Sequence, residues 1–448
     1  MSNIINIQDF VDTRRLSKFQ LMVVIACFLV VAVDGFDTAA VGYIAPALIA
    51  QWKVTRPALA PLFGAGLFGL MAGAFIFGLI ADKVGREPVL IFATGAFAVA
   101  SILSSTATNI ESLIIWRFVT GIGLGGAMPS AITLTSEYCP ERNRSLLVMI
   151  MFCGFTLGGA LGGLSAAMLI TDFGWQGVLI LGGLLPLALG AVLLVSLPES
   201  VRYLVLKGGH DAKVARLLRR IDPNAPLEGA SFTGVRRVEG SPVRQLLKPG
   251  RAAGTLLLWL SFFMSLLVFY LLTSWLPTLL NSAGQNMSSA SLIALMLPVG
   301  STVGAIGIGL LMDRYNPHVV LCCSYTVAAM FILMLGFSTA SVGMLIVTVF
   351  GAGIGTGGSQ IGINALSAAY YPTASRATGV SWANAVGRVG SVVGSMVGGQ
   401  LLTFGWGLET VFSLAALPAL IAAVAILAKG WVGASSPMVA QTALEVQT

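Results

Sequence analysis

Twelve separate stretches of mostly apolar residues dominate this chain, each about as long as the roughly 20 residues a helix needs to cross a bilayer. They lie near 19–48, 57–81, 88–108, 110–136, 145–170, 175–197, 252–281, 288–312, 318–338, 341–369, 377–403 and 408–428. A water-soluble fold has no core large enough to bury so much oily helix, so the pattern predicts an all-α integral membrane protein with twelve transmembrane helices. Composition points the same way. Of the 448 residues, 56% are hydrophobic and 10% charged, against about a quarter charged in soluble domains. The 53 glycines suit close helix packing in lipid. The N-terminus is polar, and the first apolar run is too long for the h-region of a cleavable signal peptide.

A net charge of +7 raises the question of nucleic acid, and the location of the charges answers it. With an even number of spans both termini share one side. If that side is cytoplasmic, the inner segments carry 21 of the 25 Lys and Arg, the outer loops only Lys53 and Arg56, and the spans Arg117 and Arg388. That is the positive-inside asymmetry. The basic excess sets topology, and the expected partner is the lipid bilayer rather than a nucleic acid.

The longest polar stretch divides the spans six and six. The expected organisation is a cytoplasmic N-terminal segment (1–18), a six-helix bundle (19–198), a cytoplasmic linker (199–251), a second six-helix bundle (252–430) and a cytoplasmic tail (431–448). The linker, expected to lie on the inner membrane surface, holds Pro223, Pro226, Pro242 and Pro249 and one amphipathic segment near 211–221. The halves repeat. GLIADKVGR (78–86) and GLLMDRYNP (309–317) place Asp82 and Asp313 231 residues apart, and CPERNRSLLVMIMFCGFTLGG (139–159) matches YPTASRATGVSWANAVGRVGS (371–391) at an offset of 232. Two landmarks at nearly one offset argue for a duplicated six-helix unit, as in secondary transporters.

Gly78, Asp82, Lys83, Gly85 and Arg86 form a loop that resembles the signature of the major facilitator superfamily, and PESVRYL (198–204) resembles that superfamily's motif after span six. More narrowly, DGFDTAAVGYIAPAL (34–48), RFVTGIGLGGAMPSAITLTSEYCPER (117–142), YLLTSWLPTLL (270–280), MDRYNPH (312–318) and YYPTASRATGVSW (370–382) resemble the aromatic acid:proton symporters, among which hydroxybenzoate and protocatechuate transporters look most similar. Glu87 departs from the signature, which usually has a second basic residue there. The resemblance implies the major facilitator fold and uptake of an aromatic carboxylate such as 4-hydroxybenzoate, 3-hydroxybenzoate or protocatechuate. It also implies that the loops carrying Asp82-Lys83 and Asp313-Arg314 latch the halves together in one conformation.

Four ionisable groups lie inside spans, where each costs at least about 2.5–3.5 kcal/mol unless it faces a partner or a cavity. Asp34 and Asp37 share one helical face, about 22–27 Å from the inner end of the first span at 1.5 Å per residue. Arg117 lies roughly 10 Å below the outer surface on the fourth, at similar depth. Arg117 is expected to pair with one or both aspartates. An aspartate that alternates between this partner and an apolar setting would carry protons; the bland alternative is a static ion pair. Arg388 falls near the midplane of the eleventh span, on one face with Ser381, Asn384 and Ser391. Its guanidinium is a planar fork suited to a carboxylate, though bonding to neighbouring carbonyls would equally explain it, and Arg117 is the second candidate clamp. Trp275, Tyr270, Trp382 and Phe155, or Phe152, are candidates to pack the ring, and Gln360 and Asn364, four apart on the tenth span, to bond a ring hydroxyl.

Other classes fit less well. His210 and His318 are the only histidines, the five cysteines show no paired metal spacing, and neither an H-E-x-x-H motif nor a phosphate-binding loop is present. An enzyme is therefore not expected, nor a metal or cofactor. The expected protein is a monomer of the bacterial inner membrane that imports an aromatic carboxylate with protons by alternating access. A carrier for another organic anion or a sugar, and a non-transporting receptor, remain the alternatives.

Overall fold

The computed structural model describes residues 4–233, 246–247, 250–338, 341–371, 376–404, 406 and 408–434. Most of the expected tail, part of the linker and residues 372–375 lie outside them. The helices, in chain order, are α1 (Ile7–Asp12), α2 (Lys18–Trp52), α3 (Ala60–Val84), α4 (Arg86–Ser104), α5 (Ile110–Tyr138), α6 (Glu141–Ser196), α7 (Val201–Lys207) and α8 (Asp211–Ile221). They continue with α9 (Ala252–Ser282), α10 (Met287–Ala294), α11 (Met296–Arg314), α12 (Pro317–Phe337), α13 (Val342–Tyr370), α14 (Arg376–Thr403) and α15 (Leu408–Ala434).

Ten helical segments among the described residues are long and apolar enough to cross a membrane, so the chain is a multi-pass membrane protein. Two features separate this number from twelve. The 56 residues of α6 would run about 84 Å if straight, far beyond a core of about 30 Å. The helix instead breaks at Gly174, whose φ of 67° and ψ of −175° suit a residue without Cβ. Conversely α14 carries Ser381, Asn384, Arg388 and Ser391 and is not one of the ten.

The chain forms two compact units, Met1–Ile44 with Ala65–Arg237, and Ala45–Gly64 with Val238–Thr448. The sequence repeat reappears as a repeat of backbone contacts. A methyl group built on Gly69 or Gly73 of α3 would overlap the carbonyl oxygens of Phe118 or Ile122 on α5. In the second unit Gly300 and Gly304 of α11 meet the carbonyls of Phe350 and Ile354 on α13 in the same way. Likewise Gly158 and Gly162 of α6 sit against the Ala32 and Phe36 carbonyls of α2, while Gly390 and Gly394 of α14 sit against those of Phe263 and Leu267 on α9. Each equivalent pair is 231 or 232 residues apart. Small residues let these helix pairs approach to backbone distance, the main source of cohesion where lipid removes the hydrophobic drive between helices.

At one end of the first unit, strand β1 (Ile4–Asn6) pairs in parallel with β2 (Ser231–Thr233). The linker helix α8 buries Val214, Leu217, Leu218 and Ile221 in a cluster with Ile7, Phe10 and Val11 of α1 and with Phe19, Leu197 and Leu204. Its apolar face is thus covered by protein, and the N-terminal segment supplies part of the apolar partner. Arg14 Nε bonds Asp222 Oδ2 at 2.7 Å across this junction, and the Arg220 guanidinium lies 4.0 Å above the Phe19 ring.

Candidate functional site

The first unit holds a buried charge centre. Arg117 of α5 meets Asp37 of α2 side-on, with Nη1 to Oδ1 at 2.9 Å and Nη2 to Oδ2 at 2.5 Å. This is the bidentate geometry that guanidinium and carboxylate favour. Both residues are at most 2% exposed. The Ser101 hydroxyl of α4 lies 3.1 Å from Asp37 Oδ1 and 3.2 Å from the Leu179 carbonyl of α6, so α4 and α5 reach the α2 carboxylate directly and α6 backs Ser101. Asp34, one turn earlier on α2 and 1% exposed, accepts from the Thr38 hydroxyl at 3.2 Å. Gly66 of α3 lies beside this centre: a methyl built there would come to ordinary contact distance, 3.9 Å, from Arg117 Nη2. A charge pair this dry is electrostatically strong but expensive to desolvate, and a proton delivered to Asp37 would cancel one side of it.

A polar network occupies the second unit. Arg388 of α14, partly buried, donates from Nη1 to the Tyr270 hydroxyl of α9 at 3.2 Å. One turn away, Asn384 donates to Asn364 Oδ1 of α13 at 3.3 Å. Asn364 in turn donates to the Gln360 carbonyl at 2.8 Å. The Gln360 side-chain oxygen is buried and has no hydrogen-bond partner among the described residues. Two polar groups thus lie one turn apart on α14: Arg388 with Tyr270 of α9, and Asn384 with Asn364 and the Gln360 carbonyl of α13. Trp275 joins neither. Its indole N–H is taken by the Ser395 carbonyl at 2.6 Å, and its ring packs edge-on to Phe63 at 5.0 Å. Trp382, 43% exposed, stacks on Trp259. Phe155 and Phe152 belong to the first unit, where both pack against its apolar cluster.

The two signature loops differ. Asp82 pairs with Arg86 across one turn. Gly85, with φ of 118°, turns the chain from α3 into α4 so tightly that a side chain there would strike the Glu199 carboxylate. Glu199 is the residue that sequence reasoning passed over. Its Oε1 accepts from the backbone N–H groups of Arg86 (2.8 Å), Glu87 (3.2 Å) and Ser200 (2.7 Å), capping the positive end of α4. Tyr138 donates to its carbonyl at 2.7 Å, and Tyr203 donates to the Lys83 carbonyl at 2.7 Å. Glu199 lies in PESVRYL, so the motif itself was the available signal. Gly78 faces open space. Asp313 and Arg314, at the end of α11, are exposed and form no ion pair among the described residues.

A second group missed in the sequence lies in the second unit. Lys429, 4% exposed, points its ammonium at His318 Nε2 (3.1 Å) and over the Tyr370 ring (4.2 Å). No group of three or more His, Cys, Asp or Glu suited to a metal occurs among the described residues.

Comparison with known proteins gives this geometry a context. The Major Facilitator Superfamily model matches residues 27–319 and 258–441. The chain is 44% identical over 431 residues to the 4-hydroxybenzoate transporter PcaK of Pseudomonas aeruginosa, covering 96% of each. It is 42% identical to a gallate transporter of Pseudomonas putida, covering 95% of each. The crystal structure of a D-xylose-proton symporter superposes with a TM-score of 0.71 at 17% identity, covering 91% of this chain and 97% of that one. This last likeness concerns the fold alone.

Proposed function

Because the chain belongs to the Major Facilitator Superfamily, a family of membrane transporters and not of enzymes, we propose that it imports a hydroxybenzoate-type aromatic carboxylate together with protons. Import proceeds by alternating access across the bacterial inner membrane. Twelve helices span the membrane as two six-helix repeats, α6 contributing two and α14 one, with both termini in the cytoplasm and the protein acting as a monomer.

The observation that carries the substrate class is the 44% likeness to a 4-hydroxybenzoate transporter over 96% of both chains. The site chemistry supports it. Arg388 clamps the carboxylate, with the Tyr270 hydroxyl at its side, on a helix that otherwise has little reason to carry a cation. Asp37, Asp34 and Arg117 couple protons. When Asp37 takes a proton its bond to Arg117 weakens, and the carboxyl is then neutral enough to follow α2 into a new packing. A monovalent anion entering an inside-negative cell is opposed by about 2.3 kcal/mol per 100 mV. One co-transported proton cancels that cost, and a pH gradient or second proton drives accumulation. The loops at Asp82 and Asp313 act as latches between conformations.

The test is uptake of labelled 4-hydroxybenzoate by cells expressing the protein, with and without protonophore, competed by protocatechuate, benzoate and xylose. Concentrative, protonophore-sensitive uptake competed by the aromatic acids and not by the sugar is expected. Competition by xylose alone, or binding without accumulation, overturns the reading.

A further inference from the structure

Among the polar groups near Arg388, Gln360 is set apart by what its side chain does not do. Asn364 is engaged at both ends of its amide: the nitrogen donates to the Gln360 carbonyl and the oxygen accepts from Asn384. Asn384 spends its own N–H groups on Asn364 and on the Val380 carbonyl at 3.0 Å. Gln360 Oε1 is buried yet accepts nothing from the described residues. A buried carbonyl oxygen left without a donor carries the full desolvation penalty of that group, so an oxygen held this way in a binding region is a place for a donor that arrives from outside.

The register of the helices says where that place is. A five-residue connection, 371–375, joins α13 to α14, and so short a link makes them antiparallel neighbours. The Asn364–Asn384 bond fixes one level at which they meet. One turn back along α13 is Gln360, and one turn forward along α14 is Arg388. In antiparallel helices both steps go the same way, about 6 Å each. Arg388 and Gln360 therefore stand at one level, the cationic fork on one helix and the open acceptor on the next. A ligand with a carboxylate at one end of a rigid ring and a hydroxyl toward the other fits that pair.

We infer that Gln360 is the specificity-determining residue that accepts the ring hydroxyl, so that the protein selects hydroxylated aromatic acids over the unsubstituted ring. The inference rests on the proposed function. Asn364 and Asn384 are positioning residues: they set the level of the two helices and do not touch the substrate. Benzoate, lacking the donor, leaves Oε1 buried and unpaired, the situation in which polar sites discriminate most strongly.

The experiment measures labelled 4-hydroxybenzoate and labelled benzoate uptake by the full-length protein in cells, for wild type, Gln360→Met and Gln360→Glu, each normalised to membrane-inserted protein. Wild type is expected to prefer 4-hydroxybenzoate by about tenfold or more in the ratio of initial rate to half-saturation. Gln360→Met removes the acceptor at similar volume, and the preference falls to near unity. Gln360→Glu keeps an acceptor oxygen, and the preference survives even if both rates drop. Equal loss of both acids in Gln360→Met, or an unchanged preference, shows a merely structural glutamine and overturns the inference while leaving the function intact. A wild type that takes up neither acid sinks the function and this inference together.

Discussion

Replacing Asp37 by asparagine turns the Oδ2 that faces Arg117 Nη2 at 2.5 Å into an N–H₂ donor or a neutral carbonyl, and strands a guanidinium whose side chain is 3% exposed. Breaking one side of a buried pair costs about 3–5 kcal/mol. Each unit is some two hundred residues, so at about 2–4 °C per kcal/mol the thermal midpoint should drop on the order of 10 °C. Removing both charges is a different experiment. Asp37→Leu with Arg117→Met leaves no unpaired charge, and such swaps are often neutral or stabilising. Most of the lost midpoint should return, giving a coupling of at least about 2 kcal/mol in the double-mutant cycle. The assay is thermal unfolding of purified protein in detergent, alongside exchange of labelled 4-hydroxybenzoate across proteoliposomes. The double variant is expected to be stable and unable to accumulate substrate. If Asp37→Asn unfolds like wild type, or the double variant loses as much as the two singles summed, the pair is not the buried electrostatic unit described above.

Other outcomes follow from the same geometry. Gly85→Ala forces a side chain into the Glu199 carboxylate at a φ of 118°. It should cost about 1–3 kcal/mol and sharply reduce uptake; normal uptake at normal expression would contradict the role of Glu199 as the clamp on this loop. Asp82→Asn, which breaks the ion pair with Arg86, should reduce the uptake rate while membrane insertion stays normal by immunoblot. Gly304→Val should destabilise the second unit by prying α11 from α13, read as a lower thermal midpoint, as Gly73→Val should the first. The Arg14 hydrogen bond holds the Asp222 carboxyl below its usual range. Its contribution to docking the N-terminal segment is thus present above the ordinary carboxylate pKa of about 4 and fades as pH falls through the lowered one. Hydrogen exchange at residues 4–14 should quicken only at strongly acidic pH, and Arg14→Gln should abolish that pH step.

Much of this was legible because lipid imposes few rules. The apolar runs, the internal repeat and the charged residues set among apolar ones are one-dimensional signals, and the offset of 231–232 reappears as matching glycine contacts. What the sequence could not give is partnership. Asp34 and Asp37 look alike in sequence, yet the guanidinium bonds Asp37 and the hydroxyl of Thr38 serves Asp34. Trp275 and Trp382 read as ring-packing candidates, but one is tied to Ser395 and the other to Trp259, since an indole finds whatever neighbour the helix rotation presents. Glu199 was hidden because its role is to cap a helix 113 residues away, and Lys429 because a lysine at the end of a span usually reaches water. The halves also divide their chemistry: residues equivalent to Asp37 and Arg117 are Val268 and Val349, and the equivalent of Arg388 is Thr156. Duplication gave both units one backbone, and each then carries a different charge.

The central claim is that protons enter with an aromatic carboxylate through the Asp37–Arg117 centre. It is tested most directly by sealed proteoliposomes loaded with a pH-sensitive dye, with 4-hydroxybenzoate added outside and no imposed gradient. The wild type should acidify the lumen as substrate enters, and the Asp34→Asn, Asp37→Asn variant should bind substrate without doing so. Substrate influx with no acidification in the wild type, or undiminished acidification in the variant, contradicts the account.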